Sequence, residues 1–352
     1  MIMVLKPFLL IFLISSALAI CFSKRLMTAV IIFACYSIVL SVLWILLAAP
    51  DIAITEAAVG TGVSGVIFFV ALKRLSVTDM EFKWANAVSS TAKKKEKTDK
   101  GRRGFRYLYH SVFIAVSAGL TGILAYTASA FPPFGDPGNP ANNEIPRKFL
   151  EEGVMDTGAL NAVSAMLWSY RSFDTFGEAC VLFAAACVIL VLLRGGGVSL
   201  KAGDPFRKEM DEPRQDPIIK TIAFLLVATI MIFGVYALLH GHITPGGGFS
   251  GGAIIGAAMV LYASAYGTRV ANKFMNHKIF CRAISISLIS YALAKGHKFF
   301  TGANSIDTAA PLGTPGNILS AGIILPLNIA VGIIVACTMY IIYILFSGGE
   351  LQ

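Results

Sequence analysis

The chain has 352 residues, 56% hydrophobic and 14% charged, with a formal net charge of +9. An average soluble domain carries ~25% charged residues. Here the apolar residues form long runs rather than stripes, which excludes a soluble globular domain and marks an all-α polytopic membrane protein. The basic excess does not indicate nucleic acid. Much of it lies between Lys73 and Arg106, including Lys93, Lys94, Lys95, Lys97, Lys100, Arg102 and Arg103. A basic connection between spans is what the positive-inside rule expects on the cytoplasmic side, and this outweighs a patch for nucleic acid or anionic lipid.

In chain order, Lys6, an apolar stretch and Ala17-Leu18-Ala19 imitate a secretory signal. Lys24-Arg25 and another apolar run follow at once, so 7–20 is read as a first spanning helix. The next apolar run, Leu26 to Leu72, is too long for one crossing of ~20 residues. Pro50-Asp51 is the predicted join, because proline suits a first helical turn and an acid suits the positive helix N-terminus. Helix two is then 26–49 and helix three 51–72. Helix four is predicted over 108–128, ended by Pro132, Pro133, Pro137 and Pro140.

The loop 131–170 carries Asp136, Glu144, Glu151, Glu152 and Asp156 against Arg147 and Lys148, an acidic balance suited to the outer side. Residues 161–170 read as a short interfacial helix anchored by Trp168 and Tyr170. Helix five spans 174–193. A linker with Lys201, Arg207, Lys208 and Arg214 leads to helices six (218–239), seven (248–266), eight (280–294) and nine (318–346). Helix nine is long enough to tilt or to bend near Pro326. About nine spans result, and all basic turns fall on one side when the N-terminus is outside and the C-terminus inside. Cys21, Cys35, Cys180, Cys187, Cys281 and Cys337 lie in or beside apolar runs, without Cys-x-x-Cys spacing. They read as small buried hydrophobes, neither a disulfide frame nor a metal site.

Four constellations are candidates for chemistry. Glu56 lies inside helix three, where a central charge costs at least ~2.5–3.5 kcal/mol and usually faces protein or water. Gly60 and Ser64 share its face at four-residue spacing, a small polar surface suited to close helix packing and a proton or cation path. Asp51 reads either as a helix cap or as a neighbour of that path. In Arg171-Ser172-Phe173-Asp174-Thr175-Phe176-Gly177-Glu178, Asp174 suits a negative first turn, while Glu178 lies one turn deeper and is a candidate carboxylate.

The turn His240-Gly241-His242-Ile243-Thr244-Pro245-Gly246-Gly247 precedes a seam of Gly248, Gly252 and Gly256 at four-residue spacing, which permits tight packing of helix seven. Two histidines two apart lack further nearby ligands for a metal, and His240 defaults to a surface histidine that can titrate near neutral pH. Lys295, His297 and Lys298 end helix eight on the outer side, against the positive-inside rule. They either snorkel to the interface or pair with a buried acid such as Glu56 or Glu178. Asn328 can add a polar contact inside helix nine.

Three of these stretches also carry a resemblance. Pro50-Asp51-Ile52-Ala53-Ile54-Thr55-Glu56-Ala57-Ala58-Val59-Gly60 resembles the D component of membrane-bound hydrogenases, equivalent to the C-terminal part of the large A component of Mrp cation/proton antiporters. Phe173-Asp174-Thr175-Phe176-Gly177-Glu178 resembles the hydrogenase E component. Gly241 to Gly252 resembles the Mrp B component and the hydrogenase F component. The resemblance implies a fusion of a D-like part (1–72), a basic cytoplasmic loop (73–107), an E-like part (108–194), a linker (195–217) and a B-like part (218–352).

It further implies a non-catalytic subunit in the cell membrane of a bacterium or archaeon, working with other Mrp-type antiporter subunits, with or without a hydrogenase-like redox module. Sodium and protons would be transported ions rather than cofactors, and Glu56 and Glu178 would lie on the ion path, with Asp51, Asp174, His240, His242 and Lys295 assigned to it beside them. The rest of the large A component is missing, so the chain alone is not expected to be a complete antiporter. A structural linker between a redox arm and a pump is the rival reading.

Overall fold

A computed structural model describes residues 2–74, 102–133, 135–195, 217–274, 277–303 and 311–347. The basic loop is therefore outside the described residues over 75–101, as is most of the linker (196–216). The described elements are helical: α1 (Ile2–Phe22), α2 (Leu26–Leu46), α3 (50–74), α4 (Arg102–Ser129), α5 (Glu144–Glu151), α6 (Gly153–Thr157), α7 (162–170), α8 (Ser172–Gly195), α9 (Pro217–His240), α10 (Gly248–Tyr266), α11 (Thr268–Phe274), α12 (His277–Ala303) and α13 (Ile324–Ser347). Two of them change type along their length. Helix α3 runs as α over Pro50–Glu56, π over Ala57–Ser64 and α again over Gly65–Arg74, and α7 runs as α over Ala162–Ala165 and π over Met166–Tyr170. Among the described residues, nine helices are long and apolar enough to cross a membrane.

The chain divides into two compact units, one comprising Met1–Leu75 with Phe149–Gln352 and the other Ser76–Lys148. The smaller unit contains α4, whose described side chains from Ser111 to Ser129 are all exposed. In the larger unit, α10 and α13 form the centre. Of their spanning residues, 67% and 72% are buried, against 11% for α1. Helix α13 packs on α10, α12 and α8, α10 packs on α9 and on the π stretch of α3, and α2 joins α1 to α3. Two apolar clusters run along α13, one around Trp168, Tyr291 and Val331 and one around Met259, Tyr340 and Ile344.

The join at Pro50-Asp51 is where the sequence puts it. Ala48 takes a left-handed backbone (φ 58°), reversing the chain, and Pro50 begins α3. Proline costs nothing there, because a first-turn N–H has no partner within the helix.

Four expectations need correction. Helix α13 starts at Ile324 rather than 318, so Pro326 falls in the first turn, where it removes no helical hydrogen bond and causes no bend. Helix α12 extends to Ala303, so Lys295, His297 and Lys298 lie within it rather than at its end. Trp168 is buried, its ring 6.0 Å from that of Tyr291, and does not anchor at an interface. Cys21 and Cys35 are exposed, as an apolar thiol facing lipid can be, and only Cys337 is fully buried. Tyr170 donates to Asp156 Oδ2 at 2.6 Å, and partial burial followed by that carboxylate pushes its phenol up to about 12.

Candidate functional site

One end of the larger unit brings together pieces of chain that are far apart in sequence. Asp51, in the first turn of α3, accepts from the Gly246 N–H at 2.8 Å and from Asn161 Nδ2 at 3.2 Å, both through Oδ1. Asn161 Nδ2 also donates to the carbonyls of Gly241 and Thr244, each at 3.2 Å. Its Oδ1 accepts from the Val163 N–H at 3.0 Å and caps α7, while its own N–H donates to His242 O at 3.1 Å. Ser164 Oγ adds a bond to Gly241 O. Gly246 and Gly247 have φ of 147° and 122°, conformations that need glycine. This lets the turn offer its carbonyls to Asn161 and its N–H to Asp51.

The same end fixes the start of α10. Asn328 Oδ1 on α13 accepts from the Gly248 N–H at 2.9 Å. A Cβ at Gly248 would stand 2.7 Å from Asn328 O, one at Gly252 2.6 Å from Gly332 O, and one at Gly256 3.1 Å from Met339 Cβ. These three glycines thus bring α10 against the backbone of α13, the close approach that small residues permit in a membrane.

Glu56 lies one and a half turns into α3, at the entry to the π stretch. Its Oε1 accepts from Ser37 Oγ on α2. A Cβ at Gly60 would collide with Ser37 Oγ and stand 2.7 Å from Glu56 Oε1, so Gly60 supplies the space for this pair. Among the described residues no cationic side chain lies within ion-pair distance of Glu56. The π stretch changes the predicted face. Its wider i→i+5 turn breaks the strict four-residue row through Ser64, while Gly60 stays against the Glu56 carboxylate. The Thr61 hydroxyl is buried and has no partner among the described residues. One residue before Glu56, Thr55 Oγ1 meets Ser250 Oγ of α10 at 2.8 Å.

The remaining candidates have the following surroundings. Arg171 holds Asp174 at 2.6 Å, and both are exposed. Glu178 is exposed on α8, one turn beyond Asp174, while the Tyr291 hydroxyl donates to Ser172 O at 3.0 Å. The His240 ring stacks on Tyr236 with centroids 4.4 Å apart. His242 is fully buried, with Nε2 at 3.3 Å from Asn317 O. Lys295 is buried and reaches no carboxylate among the described residues. Its ammonium donates to Trp168 O, in the π part of α7, where a carbonyl is freed from regular helical bonding.

Sequence reasoning missed Asn161, Ser37, Ser164 and Thr61. Asn161 carried a local signal, as asparagine before a helical stretch is a preferred N-cap, but nothing local announced its three long-range bonds. Ser37 was a polar residue in an otherwise apolar span, itself a sign of an interhelical contact.

Three family models match in succession. They describe the MBH component D (residues 11–77), the MBH component E (residues 106–198), and a "domain related to MnhB subunit of Na+/H+ antiporter" (residues 218–341). An uncharacterised protein of Methanocaldococcus jannaschii is 32% identical over 191 residues, covering 49% of this chain and 71% of that protein. The chain belongs to the family of Mrp antiporter and membrane-bound hydrogenase subunits. A probable K(+)/H(+) antiporter A/B component of Rhizobium meliloti is 25% identical over 75% of this chain and 26% of its own length.

Among solved structures, a chain of the Mrp complex from Dietzia sp. DQ12-45-1b shares the fold with a TM-score of 0.68, 21% identity, 97% coverage of this chain and 34% of that one. A chain of the membrane-bound sulfane sulfur reductase, an archaeal respiratory membrane complex, matches with a TM-score of 0.50 and 27% identity, covering 66% of this chain and 96% of that one. The Mrp-family chain thus spans only about a quarter to a third of two of these larger relatives.

Proposed function

We propose that this protein is a non-catalytic membrane component of an Mrp-type Na+/H+ antiporter module, with Glu56 carrying a proton or coordinating a passing cation. The observation that supports this most is the state of Glu56. It is a half-buried carboxylate inside a spanning helix, held by one serine hydroxyl, with no fixed cation among the described residues to neutralise it. Such a carboxylate can hold a proton or a metal cation in turn, since nothing fixed among the described residues occupies its place. Thr61 and the π stretch extend polar character beyond it.

The N-terminus is taken as outside and the C-terminus as inside, which puts the Asp51–Asn161–Gly246 junction at the outer surface of a bacterial or archaeal cell membrane. Other Mrp-type subunits complete the pathway, with or without a redox module. Glu178, Tyr291 and Lys295 form a second polar region along the face between α8 and α12, on the same proposed route.

The test is Glu56→Gln in the assembled complex, with sodium/proton exchange followed in membrane vesicles. Exchange is expected to be lost while the subunits still copurify, and undiminished exchange would sink the reading. The structural-linker alternative draws on the junction, where Asp51 and its partners fasten three parts of the chain. It requires exchange to survive Glu56→Gln.

A further inference from the structure

A cavity of about 230 Å³ lies between α7, the outer part of α12 and the chain entering α13. Its polar lining is Lys298, His297, Ser169 and Thr157, and Ala294 and Leu312 are among its apolar walls. Lys298 Nζ donates to Ser169 Oγ at 3.2 Å, leaving its other N–H groups free for a further acceptor. Lys295, one turn earlier, is already committed to Trp168 O. Among the described residues, neither Lys298 nor His297 has a carboxylate within ion-pair distance. A half-buried ammonium at the edge of a membrane therefore faces a roomy cavity that holds no counter-charge among the described residues, an arrangement that favours an incoming anion.

Two further features define that anion. Gly322, Ile323 and Ile324 line the cavity where α13 begins, so the positive end of a 24-residue helix adjoins it. Depth is the second. Lys298 lies four residues before Gly302, the end of the apolar span, which is ~6 Å along a helix. The headgroup layer of one leaflet is ~5–7 Å thick. Lys298 is thus about one headgroup thickness inside the end of the apolar span, a depth from which a lysine stem reaches the phosphate level, and the apolar walls suit the glycerol and first methylenes of a lipid.

We propose that this cavity binds a phosphate group carried by a glycerophospholipid, held by Lys298 and the positive end of α13, with His297 at its rim. It also gives a reason for two of the basic residues, His297 and Lys298, on what is read as the outer side, where the positive-inside rule does not expect them.

The test uses the full chain with its copurifying subunits, delipidated stepwise and offered phosphatidylglycerol in nanodiscs, with retained lipid counted by native mass spectrometry. The unmodified protein is expected to retain phosphatidylglycerol. Lys298→Gln should lower retention about tenfold, the loss of one charge-assisted bond, and Lys298→Arg should keep it. Ala294→Phe, which fills the cavity and leaves the charges, should also lose the lipid, with the melting temperature confirming a folded protein. Equal retention in Lys298→Gln, Ala294→Phe and the unmodified protein would overturn the proposal. Displacement of the lipid by millimolar inorganic phosphate would overturn its lipid assignment in favour of a soluble phosphate.

Discussion

Asp51 and Glu56 lie five residues apart on α3, and their surroundings differ in kind. Asp51 Oδ1 takes a backbone N–H from the 241–247 turn and an amide N–H from Asn161, and Asn161 is tied in turn to two carbonyls of that turn. Every member of this junction is a short side chain or backbone, so the bonds are made once and kept. Glu56 has a single hydroxyl partner on a neighbouring helix, Ser37, with space provided by Gly60 and a freer backbone just beyond. A carboxylate that must bind and release an ion needs the second environment, and one that must hold three chain segments together needs the first. On the proposed reading, two acids of one motif serve opposite ends, and their partners rather than their spacing distinguish them.

The most disruptive way to break this contrast is Asn161→Leu. Leucine has a similar size but leaves Asp51 and the Gly241 and Thr244 carbonyls without their shared donor. Asp51 keeps the Gly246 N–H and Gly241 O keeps the Ser164 hydroxyl, but Thr244 O loses its donor and α7 loses its cap; at ~1–3 kcal/mol for the first and ~1 kcal/mol for the second, the loss should be about 2–4 kcal/mol and be visible as a drop in melting temperature. Proteolysis in the 241–247 turn should quicken as well. An unchanged melting curve would show that the junction contributes nothing to stability.

Asp51→Asn is the matched comparison with Glu56→Gln, since both replace a carboxylate by an amide of the same shape. The amide oxygen at position 51 can still accept from Gly246 and Asn161, so only the charge assistance is lost, ~1 kcal/mol. Exchange should continue at close to the normal rate, with a small fall in melting temperature. If Asp51→Asn abolished exchange in a complex of normal stability, Asp51 would belong on the ion path and the contrast would collapse.

The spans were legible because twenty-residue apolar runs have few other destinations, and the α2–α3 join because proline and aspartate have positional meanings that are local. Helix ends were less legible where polar side chains find tertiary partners. Lys295 and Lys298 look like the close of a helix in sequence, yet α12 carries on past them because Trp168 O and Ser169 Oγ receive their ammonium groups. The π stretches after Glu56 and before Arg171 could not be read at all. The first packs against α10 and the second against α8 and α13, and no local composition encodes the wider turn. The role of Asp51 was divided between cap and path for the same reason, as its decisive partner, Gly246, is 195 residues away.

The finest test of the contrast is Ser37→Ala. Ser37 is fully buried in α2, and alanine fills nearly the same volume, so no cavity or strain follows and the melting temperature should hardly move. The backbone bond that Ser41 Oγ makes to Ser37 O survives the change. What disappears is one hydroxyl donor to the Glu56 carboxylate. A single hydrogen bond of ~1 kcal/mol corresponds to about a fivefold change, so exchange should slow by a few-fold rather than vanish. Loss of stability without loss of rate would mean that Ser37 and Glu56 serve the packing of α2 on α3, as Asp51 serves the junction. A slower rate in an equally stable complex is what a carboxylate positioned for ion transfer requires, and Ser37→Thr, which keeps the hydroxyl, should then restore most of the rate.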